Sequence, residues 1–125
     1  MLKGHAAQRA IAAWHAGRAD IKQASGEGWM RLFLSRLLDD PYSIVRYIAA
    51  DSVSRLPGYE KLEYDSVASE DELDDAAAEA LAVWLKRTKS IRRTELLATP
   101  AGTIDGKRYG RLYSSRNNRP IRIKE

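Results

Sequence analysis

The chain has 125 residues, of which 44% are hydrophobic and 30% charged, the balance of one soluble folded domain and not of a disordered segment. It contains no cysteine, which removes disulfides, thiolate metal sites, a nucleophilic thiol and any C-x-x-C-H haem attachment from this stretch. The net charge of +4 hides a split: residues 1–85 carry 9 Lys and Arg against 14 Asp and Glu, a net −5, while residues 86–125 carry 12 against 3, a net +9.

In chain order, GHAAQRAIAAWHAG reads as a helix from His5 to Ala16 with Gly17 as its C-cap, and Ala7, Ala10, Ile11 and Trp14 on one face. Arg18 to Ser25 suggests a short helical turn, and Gly26-Glu27-Gly28 a link. The chain is organised around the next stretch, Trp29 to Gly58. At about 100° per residue, Trp29, Met30, Phe33, Leu34, Leu37 and Leu38 share a face, with Arg31 and Ser35 opposite. Leu32 lies off that face and implies a second neighbour. Ile44, Val45, Ile48, Ala49, Ser52, Val53 and Leu56 then form a second core stripe. At the joint, Asp40 suits an N-cap and Pro41 the first helical position, while Pro57-Gly58 closes the second helix.

Beyond Gly58, a loop is expected to lay Tyr59, Leu62 and Tyr64 across the helices. Ser69 and Glu72 have the spacing of a capping box, opening a helix through Thr88 with Leu73, Ala77, Ala80 and Trp84 as its stripe. Acids crowd its start and bases its end, as the helix dipole favours. Residues 90–105 read as an extended connection or small hairpin. Asp105 is expected to cap a last helix ending near Ser115, with Tyr109, Leu112 and Tyr113 as its apolar side. Asn117-Asn118-Arg119-Pro120 ends it, and Ile121-Arg122-Ile123 is extended.

The segment DDPYSIVRYIAADSVSRLP resembles a HEAT repeat, through Asp39, Asp40, Pro41, Val45, Arg46, Ala49, Ala50, Val53 and Leu56. The resemblance implies an all-α solenoid segment, with repeats over 1–89, a central pair at 29–57 and a basic capping segment at 90–125. It also implies that Asp39 or Asp40 interacts with Arg46, and that the tail covers the open end of the stack. More narrowly, AAWHAGRADIKQASGEGW, the central pair and RLYSSRNNRPIRI resemble the C-terminal HEAT segment of bacterial proteins carrying a multihaem cytochrome region upstream. On that likeness the chain is a fragment of a longer, extracytoplasmic (periplasmic) protein; without it, a cytoplasmic location is expected. No apolar run approaches the ~20 residues of a membrane span, and no signal-peptide h-region is evident.

Chemistry is sparse. His5 and His15 stand about 80° apart around one helix and some 15 Å along it, too far to share a metal. The acids from Glu70 to Glu79 lack the alternating ligands and central glycine of a calcium loop. No G-x-S-x-G elbow or phosphate-binding glycine loop occurs, so neither an enzyme nor a cofactor is expected in this segment. Trp14, Trp29 and Trp84 fall on expected core stripes. The candidate anion- or partner-binding residues are Arg92, Arg93, Arg108, Arg111, Arg116 and Arg119, interleaved with Tyr109 and Tyr113. Either these cations pair with the acidic body or they face an anionic partner. The expected function is a non-catalytic scaffold that holds another protein or an upstream domain of the same chain. The alternative is a nucleic-acid binder using the basic tail for phosphates and base stacking.

Overall fold

A computed structural model describes residues 3–25, 28–87 and 105–119. These residues are all-helical, with no strand among them: α1 (Ala6–Ala16), α2 (Ala19–Ser25), α3 (Gly28–Ser35), α4 (Ser43–Ser54), α5 (Glu70–Arg87) and α6 (Gly106–Ser114). The expected extended segments at 90–104 and 120–125, and the proposed domain boundary near residue 90, lie outside the described residues. No helix among them is long and apolar enough to cross a membrane.

The packing follows the central stripes. α3 lies between α4 and α5, and α1 packs along α4 with lighter contacts to α2 and α3. Met30, Leu34, Leu37, Leu38, Val45, Ala49 and Val53 have no solvent exposure. Leu32, off the main face of its helix, is buried as well; a helix with partners on two sides needs apolar residues on both. α3 ends at Ser35, so Leu37 and Leu38 enter the core from the turn, where Leu37 N donates to Leu34 O at 3.0 Å. Ser35, expected outside, is buried, and its hydroxyl donates to Arg31 O at 2.7 Å. Ile44, expected inside, is 58% exposed.

α1 turns a different face inward from the one its larger side chains suggest. Ala6, Arg9, Ala13 and Ala16 are buried, whereas Ile11 is 60% and Trp14 48% exposed. The reason is close approach. Ser52 Oγ donates to Ala13 O at 2.8 Å, and a Cβ added to Gly17 would stand 2.6 Å from Ser52 Oγ. Small residues admit α4 at this range, and Trp14 does not fit there. Trp14 instead carries the Arg18 guanidinium over its ring at 5.0 Å and the His15 ring edge-on at 4.9 Å.

The remaining elements match their local signals. α4 ends at Ser54, and Gly58 takes φ 95°, a left-handed conformation that favours glycine. Tyr59 is buried, its hydroxyl donating to Ala80 O at 3.1 Å, and the Tyr64 hydroxyl donates to Leu38 O. Ser69 and Glu72 form the reciprocal capping box, with Ser69 N to Glu72 Oε2 at 3.0 Å and Glu72 N to Ser69 Oγ at 3.4 Å. Leu73, Ala77, Ala80 and Trp84 are buried, and Trp84 Nε1 donates to Gly28 O at 2.6 Å. Asp105 caps α6 by accepting from Arg108 N at 3.0 Å. Tyr109 reaches the core beside Phe33, with ring centroids 6.3 Å apart.

Candidate functional site

The densest polar cluster sits at the turn between α3 and α4. Asp40 lies in it with no exposure, and this overturns its expected role as helix cap. α4 begins at Ser43 with Tyr42 in the N-cap position and no side-chain cap, while Asp40 Oδ1 accepts from Tyr42 N at 3.1 Å. Pro41 therefore precedes the helix. What draws Asp40 inward is Arg9, equally buried, which grips it in fork geometry: Nε to Oδ2 at 2.7 Å and Nη2 to Oδ1 at 3.0 Å. Two charges out of water are tolerable only when paired and fully hydrogen-bonded. The remaining Arg9 donors meet Gly4 O, Asn117 O at 2.9 Å and Asn118 Oδ1 at 3.5 Å.

Asp39 completes the cluster from the side of the tail. Its Oδ2 accepts from the Tyr113 hydroxyl at 2.6 Å, and its Oδ1 faces Arg116 Nη1 at 3.4 Å. The guanidinium groups of Arg36 and Arg116 lie 4.6 and 4.3 Å from the Tyr113 ring centroid. Burial and the Asp39 carboxylate both raise the Tyr113 pKa, so the hydroxyl stays a donor. The Tyr42 hydroxyl donates to Arg119 O at 2.7 Å. One turn thus holds α1, α4 and the tail together.

Arg46 meets Asp40, the contact the resemblance implies, but through the backbone. It donates to the Asp40 backbone carbonyl and to Ser66 O, each at 2.7 Å, and not to the carboxylate of Asp39 or Asp40. Both carboxylates are already engaged elsewhere. Val45 lies in the core.

No family model, curated protein or solved structure matches this chain.

Beside the cluster opens a cleft of about 640 Å³, lined by Asp39, Asp40, Arg46, Tyr113, Arg116 and Asn118 and rimmed by Glu70 and Asp74. Four of its charged side chains are committed to the clamp. The Tyr113 hydroxyl in it is tied to the Asp39 carboxylate at 2.6 Å, and among the described residues no three His, Cys, Asp or Glu groups converge as a metal site. His5 caps α1, its Nδ1 accepting from Gln8 N at 3.4 Å while Gln8 Oε1 accepts from His5 N at 3.1 Å. The arrangement suits holding elements in register.

Of the candidate cations, Arg92 and Arg93 lie outside the described residues. Arg116 is half-buried in the clamp, with Asp40 Oδ2 at 4.0 Å as well. Arg108, Arg111 and Arg119 are exposed and make no ion pair among the described residues. The acids Glu70, Asp71, Asp74, Asp75 and Glu79 of α5 are likewise exposed and unpaired. Tyr109 and Tyr113, expected to serve as stacking platforms, turn inward. Sequence reasoning missed Arg9 altogether. Its signal was a charged residue on the otherwise small stripe Ala6, Ala13 and Ala16, a stripe as regular as the larger one chosen.

Proposed function

We propose that the chain is a non-catalytic helical module of HEAT type, closing a stack of repeats and holding another protein or an upstream domain in fixed geometry. The observation that carries this reading is the pairing of helices. α1 lies on α4 and α3 on α5, with the α3–α4 pair bridging the two rows. Successive helix pairs in repeat proteins stack in this way, each touching its neighbours. The tail supports the same reading, because Tyr113, Arg116 and Asn117 spend their polar groups on the turn and cover that end of the rows. Away from its buried alanine stripe, α1 presents Ala7, Ile11 and Trp14 to solvent at helical spacing, the stripe a preceding helix pair would cover. On the cytochrome resemblance, that preceding region belongs to an extracytoplasmic electron-transfer protein.

The test is to express the chain together with its natural upstream reading frame and compare hydrogen exchange of α1 and the emission of Trp14 with those of the 125-residue chain. The reading expects slower exchange in α1 and a blue-shifted Trp14 once the upstream repeats are present. A native stop immediately before Met1, or a Trp14 equally exposed in both proteins, would sink it.

A further inference from the structure

We infer that the outer face of α6 is a docking surface for the phosphate backbone of duplex nucleic acid, read without regard to base sequence. α6 is held firmly. Tyr109 is buried, Tyr113 donates to Asp39, and Arg116 faces the same carboxylate. Its opposite face is wholly exposed and carries Lys107, Arg108 and Arg111, with Arg119 following the helix. None of these four cations has an ion-pair partner among the described residues, although unpaired acids stand on α5 of the same molecule. Asp105 is the sole acid from 105 to 119, and it is occupied in capping the helix.

Two glycines decide how a ligand could approach. Gly110 flanks Lys107 at the edge of the cation face and Gly106 lies one turn before it, nearer the tyrosine side, and a Cβ added at either would meet nothing within 4 Å among the described residues. No packing among the described residues requires glycine there, and each weakens a helix only nine residues long. A chain of phosphates lying along the helix would use that bare backbone, with guanidinium forks on the phosphate oxygens. Among the described residues the face offers no aromatic ring for stacking a base and no exposed apolar side chain for a protein partner to bury, so single-strand and protein recognition are disfavoured. This surface is independent of the HEAT-type reading, since it uses neither α1 nor the stacking of helix pairs.

The experiment is fluorescence anisotropy of a short labelled mixed-sequence DNA duplex titrated with the full chain, repeated across about 50 to 200 mM salt. The proposal expects weak, sequence-independent binding whose log–log salt slope is about −3 to −4, at roughly −0.9 for each of the four cations. Arg108→Gln with Arg111→Gln should reduce that slope by about 2. Gly110→Leu is the sharper variant: the described residues leave room for it and the helix gains propensity, so thermal stability holds or rises while duplex affinity falls. Undiminished binding by the double Arg variant or by Gly110→Leu would overturn the proposal. So would binding confined to single strands, phosphatidylserine vesicles or an acidic peptide, or no duplex binding at the lowest salt.

Discussion

At the scale of single residues, Arg9 and Asp40 form the most deeply buried ion pair among the described residues. Both side chains are fully buried, so removing one leaves an uncompensated charge in the core. Arg9→Met should destabilise the chain by about 3–5 kcal/mol in chemical denaturation. Adding Asp40→Leu should recover part of that loss, because no buried charge then remains, although Tyr42 N forfeits its acceptor. A double variant as unstable as the single one would contradict this account. Tyr109 makes the opposite case. Among the described residues its buried hydroxyl makes no well-formed hydrogen bond, with Arg36 the nearest cation to it. Burial raises its pKa to about 12, offset in part by the Arg36 guanidinium 5.9 Å from the ring centroid. Tyr64 is raised to about 12 as well, again chiefly by burial. Because the folded pKa exceeds the ordinary value of 10.0, the unfolded chain loses these protons first. Stability is then complete below pH 10 and drains away as pH rises toward 12. Tyr109→Phe should leave stability at neutral pH unchanged or slightly higher and should flatten this alkaline loss in a pH series of denaturation curves.

At the scale of elements, caps and stripes did most of what local chemistry can do. The Ser69–Glu72 box, the Asp105 cap and the stripe from Leu73 to Trp84 were legible because each depends on residues one or two turns apart. α1 was misread because two regular stripes compete on one helix. Hydrophobic size favoured Ile11 and Trp14, but the proximity of α4 favoured alanine. Gly17→Ala tests this directly. The backbone there is right-handed, with φ −75°, so conformational strain is not at issue. The new methyl would meet Ser52 Oγ at 2.6 Å, its Cβ at 2.9 Å and its Cα at 3.1 Å. A loss of about 1–3 kcal/mol in thermal or chemical unfolding is expected; an unchanged midpoint would show that α1 and α4 are not in such close contact.

At the scale of the whole molecule, the charge split is not neutralised wholesale. The tail is fastened by a few specific contacts, Tyr113 and Arg116 on Asp39 and the carbonyl of Asn117 on Arg9, while other cations and acids stay in solvent. Asp39→Asn should therefore loosen the tail without unfolding the body. Hydrogen exchange should quicken from residue 105 to 119 while α3, α4 and α5 remain protected. Equal loosening throughout would mean the tail is integral to the body and not a fastened cover.

By itself the sequence determined the helices, most of their boundaries, the core stripes of the central pair and α5, and the absence of cysteine chemistry, because these are properties of neighbouring residues. Only the tertiary structure decided that Arg9 is buried, that Asp40 pairs and does not cap, and that α1 turns its alanines inward. The structure likewise turned the tyrosines of the tail toward the core. Each of these rests on a partner more than thirty positions away in the chain, or on how closely two helices approach, and no local spacing encodes either.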